Sequence, residues 1–295
     1  MKKVIVILGQ TATRKSDLAV RIAKKFNGEI ISADSRQVYR GLDIGTGKIT
    51  KKEMRGILHH LLDVADPKKQ FTVAEYQKKT IYAIAEIVKK GKTPILCGGT
   101  GFYIDAITKG ITFPRVSPNI KLRKILEKQS IETLFNMLKK LDKKRAKNID
   151  FKNKVRLIRA IEIAKALGKI PKKTEARLPF KFIKIGLYLP PDKLKKKIEK
   201  RLLIRKKMGM LGETRKLHKQ GLSWKRMKEL GLEYGFLALY LQKKINKQKM
   251  IEKLNNEIYQ YAKRQMTWFK RNKNIVWVDP QNKAMVGAIL KKSVL

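Results

Sequence analysis

The feature that most constrains the fold is a short apolar run that leads directly into a polar loop near the N-terminus. Val4–Leu8 form a continuous, mostly β-branched run, which is typical of a strand buried on both faces. The loop that follows, Gly9–Ser16, reads GQTATRKS, and after it Leu18, Ala19, Ile22 and Ala23 recur at helical spacing. A buried strand, a glycine loop and an amphipathic helix in this order favour an α/β fold with a parallel sheet.

The Gly9–Ser16 loop has the frame of a phosphate-binding loop, G-x-x-x-x-G-K-[ST], with one departure. In such loops backbone N–H groups and the lysine bind phosphate oxygens, while the Ser or Thr hydroxyl reaches a magnesium ion. Arg14 stands where the frame has its second glycine, so it must strain the turn or adapt it, although its guanidinium could itself meet a phosphate. An ordinary strand–turn–helix connection is the alternative interpretation.

Two later segments repeat the pattern of a strand that ends in polar or glycine-rich residues. A second predicted strand begins at Ile30 and has Asp34 at its C-terminal end. A third, Pro94–Cys97, ends in a Gly-Gly-Thr-Gly turn that contains Thr100. Parallel sheets bind ligands at the carboxyl ends of their strands, so we expect the three loops to share one rim. Asp34 could serve there as a general base, a metal ligand or a cap, and Thr100 as an oxyanion donor or only a turn residue.

The sequence pattern changes from about Pro114 to Leu178, where helical patterns replace strand patterns. We predict a parallel-sheet core of the P-loop NTPase-like class, flanked by helices and built from residues 1–112 and 179–295, with a small helical insertion domain at 113–178. The remaining predicted elements in chain order are a helix that the Thr72–Glu75 capping box begins and that ends at Lys90, helices beginning at Ser117-Pro118 and Ser130, a helix from Asn153 to Leu167 that stops at Gly168, a strand at Phe180–Leu189, a basic helix capped by Asp192, helices around 233–243 and 249–270, and a strand at 275–278.

The composition is strongly basic, with 71 Lys and Arg against 24 Asp and Glu and a formal net charge of +47. Such a charge attracts polyanions, so nucleic-acid binding is expected, with a lysine-biased composition as the alternative. No apolar run approaches the roughly 20 residues that span a bilayer, and no membrane partner is expected. The one cysteine, Cys97, excludes an internal disulfide framework and suits a reducing cytoplasm.

Three other groups of residues were considered as candidate sites. Arg156 and Arg159 lie three apart on one predicted helix and could clamp a phosphate or form a solvated basic face. Tyr261, Trp268 and Phe269 lie among basic residues, which suits RNA, but a half-buried helix explains the same aromatics. The adjacent His59 and His60 lack the neighbours that a zinc site needs.

The motifs in combination resemble the tRNA dimethylallyltransferases, which prenylate adenosine 37 next to the anticodon. The matching stretches occur in family order over nearly the whole chain and read GQTATRKSDLA, ISADSRQVYRGLDIGTGK, HHLLDV, CGGTGFYIDA, NKVRLIRAIEI, GMLGE, GLEYGFLALYLQ and YAKRQMTWFKR. Two positions depart from the family pattern, which has proline at the place of Gln10 and glycine at the place of Arg14.

The resemblance implies a reaction in which dimethylallyl diphosphate prenylates N6 of adenosine 37 in tRNA. Asp34 would act as general base, and Lys15, Thr100 and a Mg²⁺ ion bound by Ser16 would stabilise the leaving pyrophosphate. The implied pyrophosphate residues are Gly9, Thr11, Ala12, Thr13, Arg14, Lys15 and Ser16. The implied tRNA contacts, made with the anticodon stem-loop, are Asp34, Ser35, Arg36, Gln37, Thr100, Arg123, Val155, Arg156, Leu157, Ile158 and Arg159.

A single polyanionic substrate suits a monomeric protein. The expected location is the cytoplasm. Two rival functions stay open, namely a P-loop nucleotide kinase or NTPase, and a tRNA-binding homologue whose catalysis is impaired by Arg14.

Overall fold

A computed structural model describes residues 2–171 and 174–280, together with residues 282 and 288. The chain divides into two compact units, one formed by Met1–Gly110 with Arg177–Leu295 and the other by Ile111–Ala176. These boundaries lie two residues from those predicted for the insertion.

The larger unit is built on a parallel sheet of six strands in the order β3-β2-β4-β1-β5-β6. The strands are β1 (Lys2–Gly9), β2 (Gly28–Ala33), β3 (His59–His60), β4 (Thr93–Gly98), β5 (Phe180–Leu187) and β6 (Val276–Val278). Every pairing between neighbouring strands is parallel, which confirms the predicted α/β class. The short edge strand β3 was not predicted, because two histidines carry no strand signal.

Thirteen helices are assigned within the described residues. In chain order they are α1 (Lys15–Lys25), α2 (Lys51–Met54), α3 (Val73–Lys89), α4 (Gly101–Thr108), α5 (Ile120–Glu127), α6 (Ile131–Leu141), α7 (Lys143–Lys147), α8 (Lys154–Leu167), α9 (Pro191–Lys207), α10 (Met210–Lys219), α11 (Trp224–Leu230), α12 (Leu232–Leu241) and α13 (Lys247–Phe269).

Local signals explain where some of these helices begin. The capping box at α3 is confirmed, since the Thr72 side chain accepts from the Glu75 amide and Glu75 accepts from the Thr72 amide. The predicted cap at α9 is wrong: α9 begins at Pro191 with Pro190 as its N-cap and no side-chain cap. Asp192 instead lies within the first turn, where its charge is favourable to the helix dipole.

The predicted burial of β1 on both faces is confirmed. Val4, Val6 and Leu8 pack into a core with residues of β2, β4, α3 and α4, whereas Ile5 and Ile7 pack on the other side against α1. Burying one such side chain contributes about 1.5–3 kcal/mol, so this short run anchors both halves of the core. The arrangement fixes Gly9, the last residue of β1, in the middle of the sheet.

The smaller unit consists of α5–α8 around its own apolar core. Leu126, Leu134, Leu138 and Leu157 are almost completely buried there. Helix α5 begins at Ile120 with Asn119 as its cap, not at Ser117-Pro118 as predicted. Helix α8 begins after its Asn153 cap and ends at Gly168, as predicted.

Within the described residues, no helix combines the length and the apolar character needed to cross a membrane.

Candidate active site

Three polar loops meet at the carboxyl edge of the neighbouring strands β2, β4 and β1. The Thr100 amide donates to the Ala33 carbonyl at 3.1 Å, and the Ser35 amide donates to the Thr100 hydroxyl at 3.0 Å. These two bonds join the loop after β4 to the loop after β2. The loop after β1 lies beside them, close enough for the Lys15 ammonium and the Asp34 carboxylate to interact electrostatically.

The loop after β1 turns through three residues with positive φ angles, which are Gly9, Ala12 and Arg14. Gly9 has φ +134°, and a Cβ atom there would lie 2.1 Å from the Leu187 carbonyl oxygen. Arg14, the N-cap of α1, adopts the left-handed conformation at φ 61° and ψ 35°, and Ala12 also has a positive φ of 62°. A left-handed conformation costs a side-chain-bearing residue about 1–2 kcal/mol. Arg14 therefore adapts to the turn that glycine would have made.

The side chain of Arg14 points away from the loop interior. It is 74% exposed, and its Nε lies 4.0 Å from a carboxylate oxygen of Asp17. Such an exposed pair contributes little to stability. The guanidinium of Arg14 therefore does not fill the centre of the turn.

Lys15 brings a half-buried positive charge to this loop. Its Nζ donates to the Gln10 carbonyl at 2.5 Å, and Thr13 Oγ1 donates to the same carbonyl at 2.8 Å. Burial lowers the pKa of Lys15 to about 8, although the neighbouring Cys97 and Asp34 act in the opposite direction. An anion bound in the loop would replace the solvation that this ammonium group has lost.

Gln265 on α13 anchors the loop after β1 by hydrogen bonds. Its Oε1 accepts from the Thr11 amide at 2.7 Å, and its Nε2 donates to the Gly99 carbonyl at 2.8 Å. The Thr11 amide is therefore occupied within the protein, so Thr11 anchors the loop. Gln265 was not predicted as a site residue, since its partners lie up to 254 residues away in sequence.

Arg201 on α9 supplies a second positive charge that sequence analysis missed. Its Nη1 donates to the Thr11 hydroxyl at 3.2 Å and its Nη2 to the Gly47 carbonyl at 3.3 Å. No carboxylate of the described residues forms a salt bridge with it. Burial and then the nearby charge of Arg205 lower the pKa of Arg201 to about 10, so it stays charged at neutral pH. The one signal was its place on the inner face of α9, next to buried Leu202.

Asp34 caps the turn after β2 with one of its two carboxylate oxygens. Its Oδ1 accepts from the amides of Arg36 at 2.8 Å and Gln37 at 3.3 Å, which caps the turn after β2. Within the described residues Oδ2 has no hydrogen-bond partner, so it can accept a proton. The Arg36 guanidinium donates to the carbonyls of Leu230 and Ser35 and so stabilises the same turn.

Thr100 lies at the start of α4, facing the loop after β2. Tyr261 forms a side-chain hydrogen bond with it, and burial raises the pKa of Tyr261 well above its usual range. Farther along α13, Trp268 donates to Asp105 at 3.2 Å and Phe269 is buried in the core. Core packing therefore accounts for Trp268 and Phe269, while Tyr261 belongs to the site.

The predicted tRNA residues of the smaller unit divide by exposure. Val155 is 76% exposed and Arg156 is exposed beside Asp150, whereas Leu157 and Ile158 are buried in the core. Any contact of Leu157 or Ile158 with RNA would therefore have to use backbone atoms. Arg156 and Arg159 each have an acidic partner, so neither is a free phosphate clamp.

Glu162 is the buried acid that holds two of the predicted RNA-binding arginines. Arg123 Nη2 lies 2.8 Å from its carboxylate, and Arg159 forms a second ion pair with it. Burial alone would raise the pKa of Glu162, but the hydrogen bonds from Arg123, Arg159 and the Asn119 amide lower it to about 2. These two arginines thus stabilise the smaller unit.

The residues around the loop fit a magnesium ion that is held mainly by substrate. Ser16 is exposed at the first turn of α1, and within the described residues its hydroxyl has no hydrogen-bond partner. No group of three or more His, Cys, Asp and Glu side chains in the described part of the chain could hold a metal ion. Magnesium commonly takes one or two protein ligands together with phosphate oxygens and water.

Comparisons with known proteins agree with this geometry. The family model described as IPP transferase matches residues 37–272. The tRNA dimethylallyltransferase 1 of Syntrophus aciditrophicus is 40% identical over 287 residues, which cover 95% of this chain and 94% of that protein. A crystal structure of the tRNA isopentenylpyrophosphate transferase of Bacillus halodurans matches with a TM-score of 0.73 and 34% identity, covering 99% of this chain and 94% of that one.

A structure of a eukaryotic dimethylallyltransferase described as acting on tRNA matches with a TM-score of 0.83 and 26% identity, over 100% of this chain and 79% of that one. A family model that spans most of the chain, relatives of similar length and the shared fold lead to one conclusion. The chain belongs to the IPP transferase family.

Proposed function

We propose that this protein transfers the dimethylallyl group of dimethylallyl diphosphate to N6 of adenosine 37 in tRNA and releases pyrophosphate. The main observation behind the proposal is the pair of half-buried cations, Lys15 and Arg201, at the phosphate loop beside Asp34 and Thr100. Among the described residues neither cation is bonded to a carboxylate, which suits a ligand with several negative charges, such as a diphosphate. The names of the relatives supply the prenyl group and the tRNA.

In the proposed reaction a C–N bond forms between N6 and the allylic carbon while the C–O bond to the diphosphate breaks. Lys15 and Arg201 stabilise the negative charge that grows on the leaving pyrophosphate, and the Thr100 hydroxyl lies at the same rim to donate to it. The N6 proton passes to Oδ2 of Asp34, the oxygen that the turn does not use. Magnesium held by Ser16 would supply further charge neutralisation.

The proposal also gives a partner to the charge of the whole chain. With a net charge of +47, we expect many contacts to the tRNA backbone, spread over the surface rather than concentrated in one segment. Each phosphate that a protein neutralises adds roughly 0.7–0.9 to the slope of log affinity against log salt. A steep salt dependence of tRNA binding supports this account, and a nearly flat one means that the charge is only a compositional bias. The proposed location is the cytoplasm.

The test uses purified protein, magnesium, unmodified tRNA and dimethylallyl diphosphate labelled in the allyl group. Label in the tRNA supports the proposal, and Asp34→Asn is expected to lower the rate at saturating substrate by about 10²-fold or more. Asp66→Asn is the matched control, because among the described residues the Asp66 carboxylate accepts only from the Lys68 amide of a turn away from the three loops. ATP turnover without prenyl donor would instead favour a P-loop kinase or NTPase. Tight tRNA binding without label transfer would favour a homologue impaired by Arg14.

A further inference from the structure

The segment from Asp43 to Gly47 lies between Arg201 and a half-buried acid, Glu213, on α10. The Glu213 carboxylate accepts from three successive backbone amides, those of Asp43 at 3.1 Å, Ile44 at 2.7 Å and Gly45 at 3.0 Å. It also accepts from the Tyr234 hydroxyl at 2.7 Å. Four donors on one carboxylate hold the start of this segment in a single position.

The other end of the segment orients Arg201. The Gly47 carbonyl accepts from Arg201 Nη2 at 3.3 Å and from Gln37 Nε2 at 3.4 Å. Gly47 has φ +60°, and a Cβ atom there would lie 2.3 Å from Arg201 Nη2. The close approach leaves no space for a side chain, so the position of this carbonyl determines where the guanidinium lies.

Arg205, one turn after Arg201, is tied to the same segment in a different way. Its Nη1 donates to the Gly45 carbonyl at 2.8 Å and lies 2.8 Å from Glu233 Oε1. Arg205 thus has a carboxylate partner, whereas Arg201 has only the Thr11 hydroxyl and the Gly47 carbonyl among the described residues. Two neutral acceptors hold Arg201 in place without neutralising it, which leaves its charge for an anion.

We propose that Glu213 is a positioning residue for diphosphate binding, because it fixes the Asp43–Gly47 segment and through it the Arg201 guanidinium at the phosphate loop. The inference rests on the proposed function in taking a diphosphate as the anion that Arg201 meets. Glu213 contacts neither the phosphate loop nor Asp34, so it acts through the segment. A role in stability alone would change the melting temperature without a specific effect on pyrophosphate.

The test measures pyrophosphate binding by calorimetry in a double-mutant cycle. Glu213→Gln keeps the size of the side chain but places an amide N–H₂ against backbone donors, and it is expected to weaken pyrophosphate binding about tenfold. In the Arg201→Ala background the same change is expected to alter the affinity less than twofold, because the group that Glu213 positions is gone. Equal effects in both backgrounds, or no effect in either, would overturn the inference.

Two further variants keep the result interpretable. If Glu213→Gln does not fold, Tyr234→Phe takes its place in the test. It removes one donor to Glu213 and leaves the carboxylate, so it is expected to weaken pyrophosphate binding by a smaller factor. Glu252→Gln removes one negative charge from the exposed face of α13 and is expected to leave binding unchanged. An effect as large at Glu252 as at Glu213 would show a net-charge effect and contradict the inference.

The same measurement separates this inference from the proposed function. Pyrophosphate binding needs neither tRNA nor prenyl transfer. Wild-type protein that shows the expected cycle but labels no tRNA would refute the proposed function and leave the role of Glu213 standing. Wild-type protein that labels tRNA but shows an additive cycle would do the reverse.

Discussion

Replacing Lys15 by methionine is expected to make the protein more stable while it abolishes pyrophosphate binding. Lys15 is half-buried, and among the described residues no carboxylate is bonded to its ammonium group; loss of solvation lowers its pKa from 10.5 to about 8. A pKa difference of one is equivalent to about 1.4 kcal/mol, so the charged group destabilises the folded state by about 3 kcal/mol at pH 7. Methionine has a similar length and no charge, and the Gln10 carbonyl keeps its hydrogen bond from Thr13.

The pH dependence of this effect has a definite sign. Below pH 8 Lys15 is protonated in both states, whereas between pH 8 and 10.5 the unfolded chain holds the proton and the folded protein has released it. The contribution of Lys15 to stability therefore rises with pH in that window. The advantage of Lys15→Met should shrink from about 3 kcal/mol at pH 7 to about 1.4 kcal/mol at pH 9.5.

The assay is urea unfolding of wild type, Lys15→Met and a control at both pH values. Lys24→Met is the control, since Lys24 lies on the exposed face of the same helix and is expected to change stability by less than about 0.5 kcal/mol. A Lys15→Met protein that is less stable than wild type, or an advantage that does not change with pH, would refute the reasoning. Retained pyrophosphate affinity would show that Lys15 is not a phosphate ligand.

Four further substitutions test other parts of the account. Gly9→Ala places a Cβ 2.1 Å from a carbonyl oxygen at a residue with φ +134°, so the free energy of unfolding in urea should fall by about 3 kcal/mol or more. A decrease of less than about 1 kcal/mol would mean that the loop can move. Arg14→Gly relieves a left-handed residue but increases the freedom of the unfolded chain, so unfolding free energy should change by less than about 1 kcal/mol and prenyl transfer should persist. Glu162→Gln leaves two arginines without their acid and should destabilise the smaller unit by about 3 kcal/mol. Because the pKa of Glu162 is about 2 in the folded protein, the stability that this acid contributes is complete above about pH 4.5 and is lost as the pH falls toward 2. Acid unfolding of wild type and variant measures this difference. Thr100→Ala should lower kcat about 10²–10³-fold with little change in tRNA affinity, and an equal loss in both would assign Thr100 to RNA binding instead.

Local sequence patterns predicted those strands and helices whose boundaries and burial depend on residues close in the chain. The run Val4–Leu8 is buried on both faces, and the capping box at Thr72 begins α3 as expected. The three predicted loops follow β1, β2 and β4, which are neighbours in the sheet. A parallel sheet with short loops leaves few alternatives for such a sequence.

The residues that sequence analysis missed act over long distances. Gln265, Arg201 and Glu213 bond to loops 254, 190 and up to 170 residues away in the chain. Helical periodicity shows that each lies on a partly buried face, but it does not show which loop that face meets. The strand β3 was missed for a related reason, since His59 and His60 become a strand only by pairing with Ile30 and Ile31.

Arg14 shows a different limit of sequence analysis. The motif required glycine for its conformation, and the structure gives Arg14 that conformation without displacing the loop. A cost of about 1–2 kcal/mol is small enough for the rest of the sheet and α1 to outweigh. The departure from the motif therefore changes the free energy of the loop more than its geometry.

The most direct test of the account is the mass of the nucleosides in tRNA after reaction. Unmodified tRNA whose anticodon ends in adenosine is incubated with the protein, magnesium and dimethylallyl diphosphate, then digested and analysed by mass spectrometry with fragmentation. We predict one adenosine that has gained a dimethylallyl group on its base, located next to the anticodon and absent when Asp34→Asn replaces the wild type. A tRNA that shows no modified adenosine with either wild type or Arg14→Gly would contradict the proposed activity.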